Sequence, residues 1–496
     1  MNPLKQLAGQ TAVYGMATIV PRLLNFLLIP LYTRLMLKDE YGVVTELYAY
    51  IAIFFVILLY GMETTFFRFA EKEKNPEPVF STSLISIFTT SFLFFILVWI
   101  FVNPISGLLE YPNHPSYILM AAGIVAIDAF NAIQFAYLRK QNRAFKFSII
   151  KIIIVGVNVL LNLYFILFCE HIYAKNPDSP WLFFFQPGMK VEYVLISNLV
   201  ASLLGVIILI PQILKTKLSF DWTLVKHMLR YTFPLLIVGV AGMINEQADK
   251  IIFKYLAFIP EGIENSDTYI LAQLGIYGAS YKIAVLMVIF IQMFRYAAEP
   301  FFFAQAKKSN SRTIYADVVK FFIIFCLLIF MGVMFYMDGV KLLIGETYRE
   351  GLFIVPIILM SYLFQGVFYN LSIWYKLTDM TKFGAYIAIG GSVITILANV
   401  LLVPAFSYLG AAWGHFICYL GMMIVSYFLG KKYFPVPYDL KRLFLYFALS
   451  GAMYFTFEVF YPTILIIRLI LGTLFIGLFI AVVYFLEKPN FNKQAV

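Results

Sequence analysis

The chain contains about fourteen apolar stretches of roughly twenty residues each, and no other feature limits its fold so strongly. A helix of about twenty apolar residues crosses the roughly 30 Å hydrocarbon core of a bilayer. Hydrophobic residues make up 62% of the 496 residues and charged residues only 13%, which is more apolar side chain than a soluble protein can bury. We therefore predict an all-α, polytopic membrane protein with about 14 transmembrane helices.

The basic residues lie mostly in alternate connections between these stretches. Roughly 24 Lys and Arg side chains fall on one side of the predicted membrane and roughly 6 on the other. The positive-inside rule places the basic side in the cytoplasm, together with both termini. The net charge of +10 is thus explained by membrane orientation, and we expect no nucleic acid partner.

The basic segment 215–230 is the longest inner break near the middle of the chain. It suggests two six-helix lobes followed by a C-terminal helix pair. The predicted divisions are an N-terminal lobe at 1–214, a cytoplasmic linker at 215–230, a second lobe at 231–430, and the helix pair with a short cytoplasmic tail at 431–496.

Motifs of common enzyme chemistry are absent from the sequence. There is no GxxxxGK[ST] or GxGxxG cradle for a nucleotide, no HExxH, and no Cys/His cluster with metal spacing. The connections are also short for a catalytic domain. We therefore expect a protein that is not an enzyme and that needs no cofactor or metal.

Arg22 lies deep in the first apolar stretch, Thr11–Tyr32, between Pro21 and Pro30. A guanidinium at that depth is costly in a bilayer, and the prolines interrupt the helix hydrogen bonds beside it. Asn25 is three residues further on, so it shares a helix face with Arg22. Such a pair is typical of a helix that faces a hydrated path or an anionic passenger, although a structural ion pair is the simpler alternative.

Other polar residues inside the spans leave two interpretations open. Asp128, in the middle of the fourth span, is either a proton carrier or a static partner of a buried base. Asp249 of the seventh span and Lys282 of the eighth lie at similar depth, as either a switching pair or a fixed one. For Arg68 and Lys151, anchoring at the membrane interface is a comparable alternative to a functional role.

Two blocks of the sequence resemble the bacterial polysaccharide transporters of the O-antigen flippase type, within the multidrug/oligosaccharidyl-lipid/polysaccharide exporter superfamily. The first, AVYGMATIVPRLLNFLLIPLYTRLM followed by EYG, covers residues 12–42. The second, YTFPLLIVGVAGMINEQADKIIFKYL leading into LGIYGASYKIAVLMVIFIQMFRYAAEPFF, covers residues 231–302. These motifs are diffuse and apolar, so they indicate the superfamily better than the cargo.

The resemblance implies two lobes that face each other across a central cavity in the bacterial cytoplasmic membrane, and a lipid-linked oligosaccharide as cargo. The residues of this chain that match the family pattern are Arg22, Asp249, Lys250, Lys282, Glu299 and Pro300.

We therefore predict a flippase that moves a prenyl-pyrophosphate-linked oligosaccharide from the inner to the outer leaflet by alternating access. The predicted substrate-binding residues are Arg22, Asn25, Arg68, Lys151, Lys282, Gln292 and Arg295. The predicted ion-coupling residues are Asp128, Glu246 and Asp249, for H+ or Na+. Expected partners are membrane lipid, the lipid-linked oligosaccharide and a glycan polymerase machinery. The alternatives are a multidrug/cation antiporter or lipid II flippase of the same fold, and a membrane glycan polymerase.

Overall fold

A computed structural model describes residues 19–73, 75–306 and 310–494 of the chain. The predicted first span, Thr11–Tyr32, therefore begins outside the described residues and is described only from residue 19 onward. Every regular element within the described ranges is helical, which confirms the predicted all-α class.

The elements up to residue 256 are long helices with several short ones between them. They are α1 (19–26), α2 (Leu28–Leu35), α3 (Lys38–Leu59), α4 (Met62–Lys72), α5 (Glu77–Ile100), α6 (Val102–Leu108), α7 (Pro115–Lys140), α8 (Ala144–Asn162) continued by a π-helix (Leu163–Cys169), α9 (Glu170–Tyr173), a 3-10 turn (Pro180–Leu182), α10 (Lys190–Leu214) and α11 (Trp222–Leu256).

The remaining elements follow the same pattern. They are α12 (Ser266–Ile283), α13 (Val285–Gln305), α14 (Ser311–Phe335), α15 (Met337–Val340), 3-10 segments (Lys341–Leu343 and Glu346–Ile354), α16 (Val355–Leu371), α17 (Ile373–Leu377), α18 (Lys382–Tyr433), α19 (Leu440–Val459) and α20 (Leu465–Gln494).

Within the described ranges, 11 helices are long and apolar enough to cross a membrane. The protein is therefore a multi-pass membrane protein, whereas the count of about 14 spans stays a prediction. α18 is 52 residues long and consists of two helices joined at Ser407, whose φ of 51° and ψ of −135° are not helical. Pro404 lies three residues before this joint, and a proline interrupts the hydrogen bonds of a helix.

Local chemistry explains where several helices begin and end. Asp221 caps α11, because its carboxylate accepts hydrogen bonds from the backbone N–H of Thr223 at 2.8 Å and of Leu224 at 3.0 Å. Tyr60 and Gly61 both have positive φ, which separates α3 from α4. Glycine adopts that conformation without strain, so the break lies where the sequence can accommodate it.

The chain forms two compact units. The first extends to Ala279 and includes Ala388–Gly414, and the second consists of Ser280–Ile387 and of the chain from His415 onward. The lobe boundaries predicted from the sequence stay a prediction.

In the first unit, α3 and α12 approach so closely that only glycine fits at two positions. A Cβ on Gly42 would overlap the backbone carbonyl of Leu271, and one on Gly275 would overlap that of Lys38. Small residues let helices pack backbone to backbone in a membrane, where apolar burial gives little driving force for association.

In the second unit, a buried carboxylate joins α14, α19 and α20. Glu487 is 0% exposed and accepts hydrogen bonds from Lys320 Nζ at 2.7 Å, Tyr446 Oη at 2.7 Å and an Arg442 guanidinium nitrogen at 3.1 Å. The two C-terminal helices are thereby fastened to α14 by charge-assisted bonds as well as by apolar contact.

Candidate functional site

Arg22 and Asn25 both lie on α1, one helical turn apart. Arg22 is half-buried and contacts neighbouring groups, whereas Asn25 is exposed. α1 ends in a turn at Leu27 before α2 begins, and Pro30 lies within α2. The expected interruption of the first span therefore lies within two turns of Arg22.

Arg68 lies on the exposed side of α4. Its guanidinium carbon is 4.1 Å from the ring centroid of Tyr231, on α11. A cation over an aromatic face is held without losing its charge, so Arg68 combines an ordered position with access to solvent.

Asp128 and Lys151, predicted for different roles, lie close together in the first unit. The Asp128 carboxylate lies beside the Ser202 hydroxyl and interacts electrostatically with Lys151. The Lys151 ammonium also lies 4.1 Å from the ring centroid of Phe135. Asn131, one turn from Asp128, donates a hydrogen bond to the Ser202 carbonyl at 2.9 Å. These contacts link α7, α8 and α10 through one polar cluster.

Asp249 is almost wholly buried on α11 and has two polar partners. Lys250 Nζ lies 3.1 Å from one carboxylate oxygen, and the Tyr277 hydroxyl donates to the other at 2.5 Å. Lys250 also donates to the backbone carbonyl of Glu246 at 3.1 Å, and the Glu246 side chain is half-buried. The predicted pairing of Asp249 with Lys282 stays a prediction.

The other three predicted residues belong to the second unit. Lys282 is exposed near the end of α12 and contacts neighbouring groups. Gln292 is half-buried on α13, and Arg295, one turn further, has a side chain that is 51% exposed. The Arg295 guanidinium lies 4.6 Å from the ring centroid of Tyr369 on α16.

Arg295 opens onto a cleft within the second unit, which we call the basic cleft. The cleft holds about 340 Å³ of empty space, counted together with its open mouth. Its polar lining residues are Arg295, Glu299, Tyr369, Asn370, Ser372 and Lys376. Lys376 Nζ lies 2.6 Å from one Glu299 oxygen, and Arg295 Nε lies 4.0 Å from the other. The cleft therefore carries two cations and one carboxylate.

Sequence reasoning missed the part that Lys376 plays in this cleft. The residue lies near the end of an apolar stretch, where the charge count explains it as an inner-side lysine. The sequence indicates only that Lys376 lies near the same predicted membrane face as Arg295.

His415 is a second residue whose surroundings were not predicted. It is 0% exposed, and its ring nitrogens lie 2.6 Å from Ser361 Oγ and 3.2 Å from Tyr281 Oη. The sequence places it only beside a glycine pair typical of close helix packing.

Within the described ranges, no group of three or more His, Cys, Asp or Glu side chains is arranged to hold a metal ion. The predicted site residues supply cations, amides and carboxylates, and the cations suit an anionic ligand.

Three comparisons relate the chain to known proteins. Residues 7–306 match the family model described as Polysaccharide biosynthesis protein. None of the curated proteins matches the chain. The solved structure of the lipid II flippase MurJ in an inward closed conformation has a TM-score of 0.73 at 16% identity, with 95% of this chain and 99% of that chain covered.

Transporters of the MOP superfamily have a similar fold. An inward-facing multidrug resistance MATE family transporter has a TM-score of 0.64 at 13% identity, covering 83% of this chain and 94% of its own. A MOP superfamily transporter from Pyrococcus furiosus, whose binding pocket is described as having reverse polarity, has a TM-score of 0.57 at 14% identity, covering 87% and 96%. At these identities the likeness concerns the fold. The chain has the MOP-superfamily fold and belongs to the polysaccharide biosynthesis protein family, a family of flippases and transporters rather than enzymes.

Proposed function

We propose that this protein is a flippase for a prenyl-pyrophosphate-linked oligosaccharide. It moves the lipid from the inner to the outer leaflet of the bacterial cytoplasmic membrane, for the synthesis of a surface polysaccharide. Both termini lie in the cytoplasm, and the transport cycle is alternating access.

The physical difficulty of this reaction lies in the head of the lipid. The prenyl tail is stable in hydrocarbon, but an ionised pyrophosphate would cost tens of kcal/mol to bury there without partners. A flippase must therefore offer water and fixed cations along the path. Charge-assisted hydrogen bonds from Arg and Lys are the interactions that hold phosphate oxygens most strongly.

The observation that carries the proposal is that apolar helices hold cationic side chains at accessible positions. Arg22 is half-buried, while Lys282 and Arg295 are exposed. Ionisable side chains within membrane spans usually face the interior of the helix bundle or a water-filled cavity rather than lipid. We propose that these three bind the pyrophosphate, that Arg68 and Lys151 act near the inner mouth, and that Asn25 and Gln292 contact the sugars.

The acidic residues Asp128, Glu246 and Asp249 are proposed as coupling groups for H+ or Na+. A coupled ion would give net export, since flipping alone only equilibrates the two leaflets. A glycan polymerase that consumes the outer lipid would have the same effect, and we propose such a partner on the outer side.

A multidrug/cation antiporter is the main competing function. Two acidic candidates weigh against it, because Asp128 has Lys151 as an electrostatic neighbour and Asp249 has Lys250 at 3.1 Å. A cationic drug would compete with those lysines for the carboxylates. A lipid II flippase differs from our proposal only in the head group of its cargo, so the two are separated by the lipid used in the assay.

The proposal is tested in bacteria that lack the chromosomal copy of the gene. Arg22→Ala and Lys282→Ala together are expected to cause lipid-linked glycan to accumulate in the inner leaflet while the protein still inserts. Lys382→Ala is the matched control, because Lys382 is an exposed lysine of the second unit outside the basic cleft. Normal surface glycan in the double variant would contradict the proposed binding role, and restored drug resistance without glycan export would favour the antiporter.

A further inference from the structure

The basic cleft contains an internal carboxylate where an anion would bind. Glu299 lies between the two cations of the cleft, 2.6 Å from Lys376 Nζ and 4.0 Å from Arg295 Nε. Both oxygens of the carboxylate thus face a positive group, as two oxygens of a phosphate would.

The two contacts of Glu299 differ in strength. The 2.6 Å contact with Lys376 is a short charge-assisted hydrogen bond. The 4.0 Å separation from Arg295 is beyond hydrogen-bond distance, so the donors of the guanidinium are not committed to Glu299. The Arg295 guanidinium carbon lies 4.6 Å from the ring centroid of Tyr369, which lines the same cleft, so the aromatic ring helps to hold the cation there.

The floor of the cleft is apolar. Ile291, Phe302 and Ile373 line the same space as the two cations, and each is only 3–4% exposed. The cleft therefore suits the charged head of a lipid, whose hydrocarbon tail would lie outside the cleft. On the predicted orientation, Arg295 and Lys376 lie near the cytoplasmic ends of their predicted spans, where a prenyl-linked precursor would first be encountered.

We propose that the basic cleft is a loading site for the diphosphate of a prenyl lipid, with Glu299 occupying the anion position in the unloaded protein. The identity of the lipid rests on the proposed function. The diphosphate accepts two parallel N–H hydrogen bonds from Arg295 and replaces Glu299 as the ion-pair partner of Lys376. A group with two or more negative charges displaces a single carboxylate, which a zwitterionic phospholipid does not.

This arrangement predicts opposite effects for the three charged residues. Arg295→Gln and Lys376→Gln each remove an attractive charge, so each weakens diphosphate binding by about tenfold. Glu299→Gln removes the competing charge and leaves both cations, so it tightens binding by several-fold. A cleft in which Glu299 only positioned the cations would instead lose affinity in the Glu299→Gln variant.

The test is native mass spectrometry of the full chain released from detergent, titrated with geranylgeranyl diphosphate. Inorganic pyrophosphate serves as a competitor without a tail, and phosphatidylglycerol as a bulk anionic lipid. We expect retention of geranylgeranyl diphosphate to fall in Arg295→Gln and Lys376→Gln, rise in Glu299→Gln and stay unchanged in Lys382→Gln. Pyrophosphate is expected to displace the prenyl lipid at higher concentration.

Equal retention in all four variants would overturn the proposal, as would equal retention of phosphatidylglycerol and prenyl diphosphate by the wild type. Thermal unfolding of each variant identifies any that fails to fold. If Arg295→Gln does not fold, Arg295→Lys replaces it. The loss of diphosphate affinity is then expected to be intermediate, because the positive charge stays but the two parallel donors of the guanidinium are lost. Binding does not require transport. A site that binds as predicted in a protein that flips nothing refutes the proposed function alone, and normal flipping with no binding refutes the loading site alone.

Discussion

The ammonium of Lys254 lies 3.2 Å from the carboxylate of Glu46, and the two side chains are only 3% and 0% exposed. Lys254 also donates to the backbone carbonyl of Leu109 at 2.6 Å, and the Tyr111 hydroxyl donates to Glu46. Burial, with the nearby Glu46 charge, raises the pKa of Tyr111 well above its ordinary value, so the hydroxyl stays protonated and remains a donor. The pair therefore ties α11 to α3 and to the connection before α7.

Removing one partner of this pair is expected to be costly, because the other charge stays buried without compensation. Lys254→Met should lower the free energy of unfolding by about 3–5 kcal/mol. The double variant Glu46→Gln/Lys254→Met should recover a large part of that loss. Thermal unfolding in detergent measures both, with exposed Lys175→Met as control. Glu46→Gln alone completes the cycle, and strictly additive losses would show that the two side chains do not interact energetically.

The glycine contacts between α3 and α12 give a second prediction. Gly275→Ala should lower the free energy of unfolding by about 1–3 kcal/mol, because the new Cβ meets a backbone carbonyl that cannot rotate away. Gly242→Ala on α11 is the matched control, since a Cβ built there meets no atom of another described element within 4 Å. The yield and the melting temperature of the two variants are the measurements. Equal values for Gly275→Ala and Gly242→Ala would mean that α3 and α12 can move apart without loss of stability.

Glu487 gives a third prediction, which concerns the C-terminal helices. Glu487→Ala removes the buried acceptor of Lys320 and Arg442, which keep Asp317 and Asp439 as ion-pair partners, and should lower stability by about 1–3 kcal/mol. Weakened docking of α19 should also expose the connection at 434–439 to protease. Glu458→Ala, at an exposed glutamate of α19, is the control. Unchanged proteolysis in Glu487→Ala would show that apolar packing alone holds the pair.

The fourth prediction tests proton coupling through Asp128. If the residue carries the coupled proton, Asp128→Asn should abolish the response of flux to an imposed pH gradient, because an amide side chain does not gain or lose a proton near neutral pH. Flux in proteoliposomes at fixed internal pH is the measurement, and Asp178→Asn, at an exposed aspartate between α9 and α10, is the control. Flux that responds to the gradient equally in wild type and Asp128→Asn would exclude this residue.

The fold class was predictable because the length of an apolar stretch reflects bilayer thickness directly. The break in α18 was predictable as well, since Pro404 signals the end of a helix and Ser407 lies at the joint. Helix packing could not be derived in this way. Apolar side chains follow no clear stripe in a membrane helix, so nothing in the sequence shows that Gly42 and Gly275 lie on facing surfaces.

The candidate site was predictable residue by residue but not as a set. A charge inside an apolar stretch is visible in the sequence, which is how Arg295, Asp128 and Lys151 were found. Their neighbours depend on which helices pack together, so the sequence assigned Asp128 and Lys151 to different roles. Lys376 was missed because a lysine near the end of a span has an ordinary explanation in charge orientation.

The central claim, that accessible cations carry a lipid diphosphate across the membrane, is tested most directly by reconstitution. The purified protein is reconstituted in liposomes with a glycosylated prenyl diphosphate. A reagent that modifies sugars and does not cross the membrane is added outside, and the fraction of the lipid that reacts is followed over time. We predict that the wild type makes the inner pool accessible, and that Arg22→Ala/Lys282→Ala slows this by at least about tenfold. A wild-type rate equal to that of protein-free liposomes, or a double variant as fast as the wild type, would contradict the account.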